Sequence, residues 1–147
     1  MMDATSTKVL LIDDDQCIGN LIRIYLSRKE RFDVVVCDNA DDGLSIATTE
    51  KPDIILLDWV MPGTCGIEVL RALRDDSRTR DIPTVMLTGK NLLKEVEAAF
   101  SLGAEGYLTK PVELPRMALK LRDVLARRQS SNSKSFFDGL LRNLRLI

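Results

Sequence analysis

The chain has 147 residues, of which 45% are hydrophobic and 29% charged, and its formal net charge is −1. These values predict one globular domain and exclude a bulk electrostatic attraction to nucleic acid or to an anionic membrane. The chain contains no histidine, which excludes a Ser-His-Asp triad, a Cys-His dyad and a histidine-ligated zinc site. No signal peptide and no long apolar run are visible, so we expect a soluble, cytoplasmic protein.

The three cysteines are scattered along the chain. Cys17, Cys37 and Cys65 are odd in number and have no CxxC spacing. This pattern predicts reduced thiols rather than a disulfide framework. We expect Cys65, which lies in a loop between glycines, to be the exposed thiol.

Strand and helix patterns alternate five times along the chain. Short apolar runs predict strands at 9–12, 32–37, 53–58, 82–88 and 105–109. Apolar residues at helical spacing predict helices at 18–29, 40–48, 67–73, 92–100 and 112–128. Gly103 follows the fourth helix as its expected C-cap. Regular alternation of this kind predicts a parallel sheet with helices on both faces.

The composition changes after the fifth helix. We divide the chain into an N-terminal tail at 1–7, an α/β domain at 8–128, a polar linker at 129–135 and an amphipathic helix at 136–147. A helix of about a dozen residues is not stable alone in water, so this one should dock on a surface. The surface could belong to its own domain, to a second copy or to another protein, and our hypothesis is a dimer or partner contact.

Three of the predicted strands end on charged residues. The first runs into Asp13, Asp14 and Asp15, the third ends on Asp58, and the fifth is followed by Lys110. The carboxyl ends of parallel strands lie along one edge of a sheet, where sites of open α/β folds are placed. Carboxylates that converge there repel one another unless a cation lies between them. Asp13, Asp14 and Asp58 therefore predict a Mg²⁺ site, while one of the three consecutive aspartates caps the following helix.

Two further residues complete this predicted edge. Thr88 ends the fourth strand and is followed by Gly89, which leaves space beside an anion. Lys110 is a natural counter-charge for a phosphoryl group, and we expect a cis peptide bond between Lys110 and Pro111.

Taken together, these motifs resemble a response-regulator receiver domain of two-component signalling. The matching stretches are LIDDD at 11–15, LLDWVMPG at 56–63, MLTG at 86–89 and GAEGYLTKP at 103–111. They stand in the family's order and spacing and cover about residues 8–128. The resemblance implies a flavodoxin-like, doubly wound sheet of five parallel strands in the order 2-1-3-4-5.

The resemblance also implies a role for each site residue. Asp58 would accept a phosphoryl group from a phosphohistidine, and Thr88 and Lys110 would bind the phosphoryl oxygens. Tyr107 would act with Thr88 as a switch. The implied Mg²⁺ ligands are Asp13, Asp14, Asp58 and the main-chain carbonyl of Val60.

Such a chain is a signalling phosphoacceptor rather than an enzyme, although it takes up phosphate from donors and releases it again. Its implied partner is a sensor histidine kinase or a histidine phosphotransfer protein, and phosphorylation would switch a partner-binding or homodimer surface. No direct contact with nucleic acid or a membrane is expected.

Three alternatives stay open. A haloacid-dehalogenase-type phosphatase would use Asp13 as nucleophile and Asp15 as acid or base, but Cys17 stands where its pattern has Thr. A receiver-shaped interaction module would bind partners without phosphate. The chain could also be the receiver part of a larger regulator, with an effector domain after residue 147.

Overall fold

The computed structural model describes residues 6–89 and 93–129, and the structural statements below refer to these two ranges. The helices are α1 (Gln16–Lys29), α2 (Ala40–Glu50), α3 (Gly66–Asp75), α4 (Leu93–Ser101) and α5 (Leu114–Gln129). The strands are β1 (Lys8–Ile12), β2 (Asp33–Cys37), β3 (Ile54–Asp58), β4 (Val60–Met61), β5 (Thr64–Cys65), β6 (Thr84–Thr88) and β7 (Gly106–Thr109). Gln129, the first residue of the predicted linker, ends α5, while the rest of the linker, the C-terminal helix and most of the N-terminal tail lie outside the described residues.

Five of the strands form one parallel sheet in the order β2-β1-β3-β6-β7. Counted without the short β4 and β5, this is the expected order 2-1-3-4-5, so the predicted flavodoxin-like fold is confirmed. The two remaining strands form a small antiparallel hairpin directly after β3, which the sequence analysis missed. With two residues each, they are too short to show an alternating pattern.

The core lies on both faces of the sheet because alternate residues of each strand point to opposite sides. Leu10, Ile12, Ile55 and Leu57 pack on one side, together with apolar residues of α2, α3 and α4. Val9, Leu11, Ile54 and Leu56 pack on the other side, with apolar residues of α1 and α5. Continuous apolar strands of this kind are typical of a sheet that is covered on both faces.

Exposure differs from the sequence-based expectations at a few positions. Leu21 of α1 and Phe100 of α4 continue the helical apolar spacing, yet their side chains are 56% and 46% exposed. Cys17 is exposed, whereas Cys65 is only partly so and Cys37 is buried, so the prediction that Cys65 is the exposed thiol was wrong. Gly103 has φ of 90° just beyond α4, as expected for a C-cap.

Helix length and polarity bear on membrane contact. Among the helices found at 6–89 and 93–129, none combines the length and the apolar character needed to cross a bilayer.

Candidate functional site

Main-chain hydrogen bonds carry the sheet past its strand ends and hold the predicted site residues in place. The Asp13 amide donates to the Cys37 carbonyl at 2.9 Å, and the Trp59 amide, next to Asp58, donates to the Leu87 carbonyl at 2.7 Å. On the other side, the Lys110 amide donates to the Thr88 carbonyl at 2.7 Å. The backbone at Asp13, Asp58 and Lys110 is therefore aligned by the same ladder that forms the sheet.

Lys110 joins two buried aspartates at this edge. Its Nζ lies 3.1 Å from Asp13 Oδ2 and 3.3 Å from Asp58 Oδ1. Asp13 is fully buried, Asp58 is 4% exposed, and the lysine side chain is 24% exposed. These three residues are far apart in the chain, and the fold brings them together at the strand ends, as predicted.

Two further hydrogen bonds to the buried carboxylates come from the backbone. The Asp15 amide donates to Asp13 Oδ1 at 2.9 Å, and the Val60 amide donates to Asp58 Oδ1 at 3.4 Å. Val60 itself is 61% exposed, so the chain leaves the pocket directly after this contact.

Asp14 brings a third carboxylate to the same place. Asp13, Asp14 and Asp58 each offer an oxygen atom, and the three atoms lie within 4.8 Å of one another. Opposite ligands of an octahedral Mg²⁺ are about 4.2 Å apart, since each Mg–O distance is about 2.1 Å. The donor set, all carboxylate oxygen, and its spacing both fit a hard divalent cation.

The charges at the site are not balanced by Lys110 alone. Burial, followed by the negative charge of Asp13, raises the pKa of Asp58 to about 6, although Lys110 acts against this shift. Burial by itself would lower the pKa of Lys110, but its hydrogen bond to Asp13 and the charges of Asp13 and Asp58 raise it instead. The structure therefore holds an ammonium group and an incompletely neutralised pair of carboxylates.

Thr88 and Tyr107 lie on neighbouring strands. Thr88 is buried at the end of β6 and pairs in register with Thr109 of β7. Tyr107, two residues earlier on β7, is half-buried, and its ring meets Phe100 edge-on at a centroid distance of 6.2 Å. The Lys110–Pro111 peptide bond is cis, as expected.

Asp15 has a different task from its two neighbours. Its Oδ1 accepts hydrogen bonds from the amides of Cys17 and Ile18 at 3.0 and 3.1 Å, which makes it the N-cap of α1. The carboxylate of Asp15 is used as a helix cap and is not one of the clustered carboxylates of Asp13, Asp14 and Asp58. This geometry argues against the phosphatase alternative, in which Asp15 would act as acid or base.

Gly66 is a site residue that the sequence analysis missed. A Cβ at this position would lie 2.2 Å from the carbonyl oxygen of Asp58 and 2.9 Å from Trp59 Cα. The Gly66 amide donates to the Trp59 carbonyl at 2.6 Å, which folds the start of α3 back onto the end of β3. The signal available in the sequence was a glycine at the first position of a helix, where a residue with a side chain is the usual choice.

Comparison with known proteins gives a consistent result. The family model described as "Response regulator receiver domain" matches residues 9–122. The phosphate regulon transcriptional regulatory protein PhoB of Pseudomonas aeruginosa is 34% identical over 127 residues, which cover 86% of this chain and 55% of PhoB. The transcriptional regulatory protein ResD of Bacillus subtilis is 37% identical over 139 residues, 94% of this chain and 55% of ResD.

Solved structures agree with this result. The chemotaxis protein CheY4 of Vibrio cholerae superposes with a TM-score of 0.77 at 27% identity, covering 82% of this chain and 99% of CheY4. A CheY-like receiver domain protein from Methanospirillum hungatei shares the fold, with a TM-score of 0.80 at 24% identity over 86% of this chain and 99% of that one. The chain spans about half the length of the curated relatives it matches. It belongs to the response regulator receiver domain family of two-component signalling.

Proposed function

We propose that Asp58 accepts a phosphoryl group from a phosphohistidine and that this modification switches a partner-binding or dimerisation surface. The supporting observation is the position of Lys110 Nζ, 3.1 Å from Asp13 Oδ2 and 3.3 Å from Asp58 Oδ1 at the carboxyl edge of the sheet. A buried carboxylate paired with a fixed cation and surrounded by further acidic oxygens has the components that phosphoryl transfer needs.

The proposed step requires little covalent chemistry from the protein. A carboxylate oxygen of Asp58 attacks the phosphorus in line, the phosphorus–nitrogen bond of the phosphohistidine breaks, and neutral imidazole leaves after taking up a proton. Lys110 neutralises charge on the phosphoryl oxygens, and the Thr88 hydroxyl donates to one of them. The product is an acyl phosphate, and attack by water at phosphorus later returns Asp58 and inorganic phosphate.

Asp13, Asp14, Asp58 and the carbonyl of Val60 would hold Mg²⁺ in this proposal. The ion would supply positive charge to the transferring phosphoryl group. The chain's own contribution is the pair of buried carboxylates, which Lys110 only partly neutralises. Since Lys110 alone does not cancel the repulsion between Asp13 and Asp58, their burial favours occupation of the site.

Thr88 and Tyr107 would transmit the change. A phosphoryl group adds about −1.5 to −2 charge beside Thr88 and Lys110. Movement of Thr88 toward this charge would open space beneath Tyr107, whose ring borders the exposed Phe100. The Thr88–Tyr107 pair is then the two-state element that couples the site to the α4 surface.

The proposal includes a sensor histidine kinase or a histidine phosphotransfer protein as the donor, in the cytoplasm. The chain contains no histidine, so the phosphohistidine must come from another protein. Its free cysteines fit a reducing compartment. PhoB and ResD are named as transcriptional regulators, and an effector domain beyond residue 147 is the alternative that their greater length favours.

Trp59 fluorescence tests the proposal. This tryptophan is the only one in the chain, is 8% exposed and follows Asp58 directly. The full chain is titrated with Mg²⁺, and beryllofluoride or acetyl phosphate is then added. We expect a saturable response to Mg²⁺ and a second, Mg²⁺-dependent response to the phosphoryl donor, with a mass increase of one phosphoryl group after acetyl phosphate.

Asp58→Asn and Asp15→Asn are the matched pair of variants. Asp58→Asn should show no phosphoryl uptake, whereas Asp15→Asn should behave as the wild type because asparagine also caps a helix. Uptake that persists in Asp58→Asn contradicts Asp58 as acceptor. No uptake by the wild-type chain leaves the phosphate-independent interaction module as the better explanation.

A further inference from the structure

The structure contains a groove beside the proposed phosphoryl site, which shares the switch residue Tyr107 with it. It runs between β7, which is the last strand of the sheet, and the outer side of α5, and its volume is about 680 Å³. We call it the β7–α5 groove and define it by six of its lining residues: Tyr107, Val112, Arg116, Leu119, Lys120 and Asp123.

The centre of the groove is apolar and open to solvent. Leu119 is 60% exposed, more than any other large apolar side chain that is described on the helices. Tyr107 is half-buried beside it and contacts Phe100, which is 46% exposed. A contiguous apolar strip of this kind, bordered by charged residues, is typical of a docking surface. It also lies along the free edge of a sheet, which proteins commonly cover.

The same chain carries a segment of matching character. Phe136, Phe137, Leu140, Leu141 and Leu144 have the spacing of one face of a helix. We propose that residues 136–147 dock as a helix in the β7–α5 groove of the same molecule, with this apolar face on Leu119 and Tyr107. The docking requires no phosphoryl group.

The distances permit this arrangement. Helix α5 ends at Gln129, and the neighbouring Arg128 donates a hydrogen bond to the Asp81 carbonyl, which holds this end of the helix to the domain. Leu119 lies ten residues before Gln129, or about 15 Å along the helix axis. The linker 130–135 can span about 20 Å when extended. A helix that starts at residue 136 and runs antiparallel to α5 therefore reaches the groove.

The tether, more than charge, favours the chain's own segment. Residues 130–147 contain three basic residues and one acidic residue, which leaves 18 basic and 21 acidic residues in 1–129. The segment thus carries positive charge and the rest of the chain negative charge. At the groove itself charge adds little, because Glu113 and Asp123 are paired with Arg116 at 3.9 Å and Arg127 at 3.1 Å, and Arg116 and Lys120 also line it. A short tether adds an effective concentration in the millimolar range, which an untethered partner does not have.

The proposal replaces the dimer or partner hypothesis for this segment. When residues 136–147 cover Tyr107 and Leu119, a second copy or another protein cannot bind the same face.

Amide hydrogen exchange of the full chain, read by mass spectrometry, tests the docking. Leu119→Glu changes the groove and Leu140→Glu changes the segment. Leu21→Glu is the matched control, since Leu21 is a leucine of similar exposure on α1 and does not line the groove. We expect amides of 136–147 to exchange at least about tenfold more slowly than in a disordered peptide in the wild type and in Leu21→Glu. Leu119→Glu and Leu140→Glu should both remove this protection.

Sedimentation of the same samples separates the proposal from dimerisation. Protection that is constant over a wide range of concentration in a monomeric chain supports docking within one molecule. Protection that appears only when dimers form would overturn the proposal, as would unprotected amides in the wild type or protection that survives Leu119→Glu. A failure here leaves the proposed phosphoryl transfer intact, because no step of that transfer involves residues 136–147.

Discussion

At both ends of β6 and β7, a basic side chain reaches buried or half-buried carboxylates, but the two groups differ in their balance of charge. At the amino ends, Arg74 donates to the carbonyls of Ile82 and Gly103 at 3.0 and 2.9 Å and lies 3.5 Å from Glu105. Glu105 Oε2 also accepts the Thr84 amide at 2.7 Å. Arg74 and Glu105 both have main-chain partners here, and Arg128 adds positive charge beside the single carboxylate of Glu105.

The carboxyl ends combine the same types of group in a different proportion. Lys110 faces two buried aspartates, with Asp14 close by. Burial raises the pKa of both Asp58 and Glu105, but only Asp58 has a second carboxylate that raises it further. A balanced pair with satisfied hydrogen bonds stabilises a fold, whereas an excess of buried negative charge is a site that attracts a cation. The charged group at the amino ends of β6 and β7 therefore stabilises the fold, whereas the group at the carboxyl ends is the candidate cation site.

Arg74→Met should give the largest change in stability and tests the charged group at the amino ends of β6 and β7. The change leaves Glu105 and two carbonyls without their cation, and we expect a loss of about 3 kcal/mol in the free energy of unfolding, measured in urea. Arg78→Met is the control, because Arg78 pairs with Asp76 on the exposed surface and should cause no measurable change. Mg²⁺ affinity should stay within about twofold in both variants. A large change in the Mg²⁺ affinity of Arg74→Met with intact stability would contradict the distinction between the two charged groups.

Gly66→Ala tests whether the candidate cation site depends on the close approach of Gly66 to the Asp58 backbone. The added Cβ meets the Asp58 carbonyl oxygen at 2.2 Å, so the acceptor strand or α3 must move. We expect a destabilisation of about 2 kcal/mol and a Mg²⁺ affinity reduced at least about tenfold. Gly89→Ala is the matched control near the same edge, since a Cβ there meets no atom within 4 Å. Calorimetric titration with Mg²⁺ measures both, and equal behaviour of the two variants would contradict the packing argument.

Asp58→Asn should stabilise the chain in Mg²⁺-free buffer. The pKa of Asp58 is raised from 3.8 to about 6 in the folded state, so its ionisation opposes folding. The stabilising contribution of the protonated carboxyl is complete below about pH 4 and is lost as the pH rises through about 6. The variant should therefore gain about 1–2 kcal/mol over the wild type at pH 7.5, a value reduced for solvent screening.

The pH dependence of this difference is the decisive measurement. Urea unfolding in EDTA at pH 4.5 and at pH 7.5 should show a gain that is much smaller at the lower pH. Asp15→Asn, which removes a charge from an exposed helix cap, controls for the loss of one negative charge. A gain that is equal at both pH values would show that ionisation of Asp58 does not oppose folding.

Asp14→Asn should give the smallest of these effects. Asp14 is exposed, so the variant should keep its stability within about 0.5 kcal/mol. Its Mg²⁺ affinity should fall about tenfold, since an anionic ligand becomes a neutral amide. Asp15→Asn should keep the wild-type affinity because its side chain caps α1. An equal loss in both variants would indicate general electrostatics rather than ligation.

Much of the fold and of the site could be predicted from the sequence. Five apolar runs alternating with helical patterns correspond to the five strands of the main sheet and to α1–α5, with ends that differ by a few residues. Asp13, Asp58 and Lys110 could be placed at one edge because they follow strands that run in the same direction. The capping aspartate was expected but could not be chosen among three consecutive ones.

The parts that escaped prediction depend on contacts between distant residues. Gly66 matters because α3 begins against the Asp58 carbonyl, and no local pattern states that approach. Arg74 and Glu105 meet across 31 positions in the chain, and each alone reads as an ordinary surface charge. The exposure of Leu21 and Phe100 was hidden because helical spacing shows which residues share a face, but not whether a neighbour covers it.

The α/β alternation, the family and the acidic and basic residue types at the strand ends could be read from the sequence, because they follow from local periodicity and from motifs at defined spacing. The tertiary structure alone decided how far each charge is buried, which carboxylate caps a helix and which lie beside Lys110, and where an apolar groove stays open. Burial and distance depend on how the helices pack around the sheet, and they determine whether a charged group stabilises the fold or attracts a ligand.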